Sequence, residues 1–213
     1  PVDEFKEGEY VLKPAPGYDF DLVSRELLLK AEMDEEGRLL LPGGMSYRAL
    51  ILPDKAVQMT EELAKKLEQL VKNGLRLYGP KPTTVPSLEN YPTSETTVKD
   101  IAEKLWGSSS KNNYGKGVVI SKGTFREVVG IAPDVSVPDK NKEQIGFIHR
   151  KRGDADIYFI ANHFKGEINT TLEFRLKGRQ PEIWHPETGK CEDVTSFTFT
   201  ENGTKIPLTL EPN

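Results

Sequence analysis

The sequence predicts an α/β layer followed by an all-β module, and three observations predict it. From about residue 20 to 130, short apolar runs alternate with stretches of helical periodicity. After about residue 143 the helical period disappears and alternation of period two replaces it. Between them, residues 132–143 carry Pro133, Asp134, Pro138, Asp139 and Lys140 to Lys142, the composition of a linker. The expected division is an α/β domain over residues 1–138 and an antiparallel β-sandwich over 139–213.

Each element has a local reason. Asp21 can cap a helix whose Leu22, Val23, Leu27 and Leu28 form one apolar stripe. Glu35-Glu36-Gly37-Arg38 is a turn signal between two short strands. Ala49-Leu50-Ile51-Leu52, stopped by Pro53-Asp54, reads as a strand of a parallel sheet buried on both faces. Thr60 then caps a helix with Glu61 and Glu62 at its positive end, a stripe of Leu63, Leu67, Leu70 and Val71, and Gly74 as its stop. Leu75 to Tyr78 is the next strand, ended at Gly79-Pro80-Lys81-Pro82, where two prolines prevent pairing. Ser94 can cap a helix bearing Val98, Ile101, Ala102 and Leu105, and Gly117 to Ile120 supplies another strand. Strand, helix, strand, helix, strand is the order of a doubly wound layer. In the second half, Lys151-Arg152-Gly153-Asp154 closes a hairpin between 145–150 and 156–162, and 170–176, 196–200 and 204–210 alternate as strands.

Charge and composition exclude several classes of partner. With 29 Lys and Arg against 33 Asp and Glu, the chain has a net charge of −4 and lacks the basic footprint of a nucleic-acid binder. No apolar run reaches transmembrane length, so no membrane partner is expected. A single cysteine, Cys191, excludes an internal disulfide. At 213 residues the chain is shorter than the roughly 250 residues of a complete (β/α)₈ barrel.

Patterns that carry chemistry are weak. The turn Leu52-Pro53-Asp54-Lys55 holds no Ser or Cys where an open α/β sheet presents a nucleophile. Gly43-Gly44 and Gly115-Lys116-Gly117 lack phosphate-binding spacing, and no sequence context activates Cys191. His149, His163 and His185 are too scattered for a metal motif, although His149 and His163 can converge across a hairpin. Glycosidase acids are placed by the fold rather than by local spacing, so 33 acidic residues single out no pair. Trp184, Tyr91 and Tyr114 can stack on sugar rings, with core or interface packing as the plainer role for these and for Trp106. No catalytic, cofactor-binding or metal-binding residue is assigned.

Longer strings carry a resemblance. Met45-Ser46-Tyr47-Arg48-Ala49-Leu50-Ile51-Leu52-Pro53-Asp54, Gly79-Pro80-Lys81-Pro82, Tyr91-Pro92 and Leu105-Trp106-Gly107 are similar to the C-terminal region of bacterial glycoside hydrolases of family 106, the α-L-rhamnosidase-related proteins. Phe147-Ile148-His149-Arg150, Gly153 to Asn162, and Gly178 to Gly189 continue the resemblance in order. His185 departs from it, standing where an Asp is expected. The resemblance implies a flavodoxin-like, glutamine amidotransferase-like α/β domain and an accessory β-sandwich. It also implies a catalytic barrel on the same parent chain as partner, with the acid and base on that barrel, and a periplasmic or secreted location. The expected role is therefore a non-catalytic accessory to a carbohydrate-degrading enzyme, with a carbohydrate-binding or self-assembly module as the alternatives. His149, Arg150 and Arg152 are the candidate inter-domain contact.

Overall fold

In the computed structural model, which describes residues 17–212, strands predominate over helices and the chain divides into two units. The first covers Asp21–Ile131 and the second Ala132–Asn213 with the described residues up to Phe20.

The first unit opens on helix α1 (Arg25–Leu29), capped by Ser24 and not by Asp21. The Ser24 hydroxyl accepts from Leu27 N, while the Asp21 carboxylate accepts from the Tyr47 hydroxyl at 2.7 Å. Strands β1 (Glu32–Met33), β2 (Leu39–Leu40) and β3 (Ser46–Tyr47) form an antiparallel meander, the first turn closed at Gly37 in the left-handed region. β4 (Leu50–Ile51), α2 (Glu61–Lys72), β5 (Arg76–Tyr78), α3 (Thr93–Trp106), β6 (Lys111–Tyr114), β7 (Gly117–Ile120) and α4 (Phe125–Val129) follow. The sheet order is β4-β5-β7-β6, with the first three strands parallel and β6 antiparallel to β7.

β7 shows why its sequence is an unbroken apolar run. Val119 joins the main core with Leu67, Leu70 and Val71 of α2 and Val98, Ile101 and Leu105 of α3. Val118 and Ile120 instead join a smaller cluster with Val128 of α4, so both faces of the strand are covered. α3 begins one residue before the expected cap: Pro92 precedes Thr93, and Ser94 is buried in the first turn with its hydroxyl unpartnered. Trp106 is a core residue whose indole N–H donates to Gly79 O at 2.8 Å.

The second unit contains only antiparallel pairings among its described strands. β8 (Val135–Ser136), β9 (Ile145–Arg152), β10 (Ala155–Asn162), β11 (Ile168–Phe174), β12 (Glu182–His185), β13 (Lys190–Asp193), β14 (Thr198–Phe199) and β15 (Thr204–Leu210) form a four-stranded sheet, β14-β15-β11-β8, and two hairpins, β9–β10 and β12–β13. The segment read as a linker departs from that reading at Val135–Ser136. Val135 is fully buried and pairs with Phe174, because the apolar side chain gains more from the core than an extended linker would offer it. β12 alternates only between exposed and half-buried and every residue of β13 is exposed, so neither strand has a buried residue, and this is the hairpin that the sequence reading missed.

Candidate functional site

The β9–β10 hairpin organises the densest polar cluster of the second unit. Its register sets Tyr158 opposite His149, Asp156 opposite Lys151, and Phe159 opposite Ile148. Successive residues face opposite sides, so Phe147, His149, Tyr158 and Ile160 turn toward the core formed with Val135, Leu172, Phe174 and Ile206. Gly146, Ile148, Arg150, Arg152, Ala155, Ile157, Phe159 and Ala161 share the other face.

On the inner face His149 lies between two carboxylates. Its Nδ1 is 2.6 Å from Asp134 Oδ2 and its Nε2 is 2.9 Å from Asp156 Oδ1. Carboxylates only accept, so both contacts are hydrogen bonds when the imidazole carries a proton on each nitrogen. The ring stacks on Tyr158 with centroids 4.1 Å apart, and Tyr158 meets Phe174 edge-on. Asp134 Oδ1 also accepts from Arg175 Nη2 at 2.9 Å and from the Tyr158 hydroxyl at 3.3 Å. The Asp156 side chain is only 3% exposed, with Lys151 and Arg179 nitrogens at 3.9 and 4.0 Å. Burial, and next the Asp134 carboxylate, push the Tyr158 phenol well above the usual tyrosine value.

These partners answer where the expected site residues lie. His149 is committed inward, whereas Arg150 and Arg152 are exposed on the outer face. The structure keeps His163 off the His149 cluster: it lies over Gly146, where an added Cβ would meet its Nε2. Asp134, Asp156, Tyr158 and Arg175 were not expected. Tyr158 was legible, since pairing outward from the Gly153-Asp154 turn sets it opposite His149; Asp134 and Arg175 come from distant segments that local pattern does not connect.

The three aromatic candidates have different surroundings. Tyr114 packs against the first unit's core and its hydroxyl donates to Glu68 Oε1 at 3.0 Å, a bond that raises its pKa. Tyr91 is exposed in the loop before α3, next to exposed Leu88. Trp184 on β12 is 61% exposed, and its indole N–H donates to Glu182 Oε2 at 3.1 Å. The register sets Cys191 opposite Trp184 and Asp193 opposite Glu182, so a pair of carboxylate residues shares the face of the exposed indole, to one side of it.

A surface depression of about 550 Å³ in the first unit is lined by Arg38, Arg48, Arg76 and Lys116 as well as Asp34 and Glu36. One of its basic residues, Arg76, has a structural role. Arg76 Nε and Nη2 donate to Val128 O and Glu127 O at 2.5 and 2.6 Å, closing the negative end of α4.

Comparison with known proteins then gives three findings. Residues 5–199 match the glycoside hydrolase family described as alpha-L-rhamnosidase. A protein of Formosa agariphila named "Putative beta-glucuronidase" is 36% identical over 197 residues, 91% of this chain and 16% of that protein. The solved structure of a rhamnosidase from Novosphingobium sp. PP1Y superposes with a TM-score of 0.84 at 29% identity, over 95% of this chain and 20% of its own. The chain thus spans about a fifth or less of these relatives' lengths.

Proposed function

The chain belongs to the alpha-L-rhamnosidase family of glycoside hydrolases, and on that footing we propose that it is a non-catalytic accessory part of a carbohydrate-degrading enzyme, supporting or orienting a catalytic barrel on the same polypeptide. The observation that carries this reading is the use of the clustered carboxylates. Glycoside hydrolysis needs two carboxyl groups about 5 to 10 Å apart flanking an open cleft. Asp134 and Asp156 instead close on opposite edges of one imidazole, each largely buried and also engaged by other partners.

The first unit is read as a flavodoxin-like, amidotransferase-like domain without its nucleophile. Parallel β4, β5 and β7, linked through α2 and α3, support that reading, as does Leu52-Pro53-Asp54 in the turn after β4. The second unit is read as the accessory sandwich, its one core shared by the four-stranded sheet and the β9–β10 hairpin. A periplasmic or secreted location belongs to the same proposal and rests on family membership. Hydrolysis of an aryl α-L-rhamnoside is the test. The 213-residue chain is expected to leave the substrate intact, and turnover by the chain alone overturns the accessory reading.

A second reading, carbohydrate binding, is favoured by Trp184. Its exposed indole offers a stacking surface, and Glu182 and Asp193 beside it can accept from sugar hydroxyls. Calorimetric titration with rhamnose-containing oligosaccharides is expected to give binding at about millimolar sugar that Trp184→Ala removes. No heat at that concentration overturns it.

A further inference from the structure

The outer face of the β9–β10 hairpin carries an apolar centre that its own unit leaves uncovered. Ile148 and Phe159 are direct cross-strand partners, 47% and 57% exposed. Their pairing makes one contiguous patch rather than two scattered side chains. Ile157 extends it toward the turn, where it meets Arg150, and Arg152 follows on the same face. His163 closes the opposite end over Gly146. The inner face is half-buried and packed on the core through Tyr158 and Phe147, with His149 held between two carboxylates, so the outer face is backed by the unit's own core.

We infer that this face docks onto the portion of the parent polypeptide outside this chain, through an apolar surface bordered by acidic side chains. The inference rests on the accessory reading above. Three observations favour this occupant. Between 80 and 84% of the length of the relatives lies outside the matched region, as 100 minus the 20% and 16% covered, so a large partner is available on one polypeptide. The patch has the anatomy of an interface, an apolar centre with charge at its rim. The rim charge is positive, since Arg150 and Arg152 share the face with no acidic residue of either strand; an acidic partner surface complements it.

Cysteine labelling tests the inference. Phe159→Cys and Ile148→Cys, each in a Cys191→Ser background, are labelled by a maleimide in the 213-residue chain and in the longer polypeptide that carries it. Docking predicts ready labelling in the short chain and a rate about tenfold lower or less in the long one, where the thiol reacts only through local opening. Adding Arg150→Glu and Arg152→Glu to the long polypeptide restores fast labelling. Equal rates in the short and long polypeptides overturn the inference. So does protection in the short chain that grows with its concentration, which assigns the face to a second copy. Rhamnoside hydrolysis by the short chain would end the accessory reading without altering these rates, so the two failures are distinguishable.

Discussion

Asp134 ties four segments of the second unit together through one carboxylate and its own backbone. Its amide donates to Gly17 O, its carbonyl accepts from Arg175 N, and its side chain accepts from His149, Tyr158 and Arg175. Removing it leaves a buried imidazole edge and a guanidinium without their acceptor. Loss of one partner from a buried charged group costs about 3–5 kcal/mol, and the partial solvent access of Asp134 brings the expectation for Asp134→Ala to about 2–3 kcal/mol. Urea unfolding measures it, with exposed Arg150→Ala expected to stay within about 0.5 kcal/mol of the parent. Tyr158 adds a pH dependence of definite sign. Its folded pKa is raised, so the folded state keeps a proton that the unfolded chain gives up near pH 10. The stability this supplies is present below about pH 10 and is lost as the pH rises beyond it. Tyr158→Phe removes the term, so the stability gap between parent and variant should shrink between about pH 8 and about pH 11; a constant gap contradicts it.

At the scale of elements, close backbone approach decides where substitution is tolerated. Gly117 opens β7 where the strand passes the end of α2, and a Cβ there would overlap the carbonyls of Val71 and Leu75. The obstacles are backbone atoms, which cannot swing aside, so Gly117→Ala is expected to cost about 3 kcal/mol or more and to speed amide exchange at the end of α2. Gly153, with open space around it, is the contrasting site, its cost limited to the strain of a positive φ. The same distinction between local and distant causes separates what was legible in the sequence from what was not. The Thr60 cap and the turns at Gly37 and Gly153 follow from a few adjacent residues and each has its partner within that span, while the strand at 204–210 is legible from its own alternation although its main partner, β11, lies 30 to 42 residues away. α1 starts later than read because the Asp21 carboxylate is taken by Tyr47, 26 residues away. α4 was missed although Thr124 and Glu127 form a complete capping box, because five residues are too few for a hydrophobic period to register. In the polar cluster, the partner expected for His149 across the hairpin is His163, while the register sets Tyr158 opposite it, a pairing that counting outward from the turn makes legible; Asp134 and Arg175 come from positions 15 and 41 residues apart from their partners.

Across the whole molecule, the decisive feature is that the two units bury separate cores. Leu67 is fully buried among α2, α3 and the parallel strands, and Leu172 is fully buried in the core of the antiparallel unit; the two residues belong to different clusters. Truncating a buried leucine to alanine costs about 2–5 kcal/mol, from lost transfer energy and the cavity left behind. If each core is its own cooperative unit, Leu67→Ala should accelerate amide exchange in α2, α3 and β7 while leaving β11 and β15 unchanged, and Leu172→Ala should do the reverse. The doubly substituted chain then shows both local effects, each within about 0.5 kcal/mol of its single-variant value, because the sites share no partner. Exchange that rises everywhere with either substitution would instead mean that the chain unfolds as one cooperative body. The outcome bears on the accessory role. A hairpin that docks onto another part of an enzyme needs support from its own core, and independence of the second unit would let it hold the Ile148–Phe159 face in place whatever the state of the α/β unit.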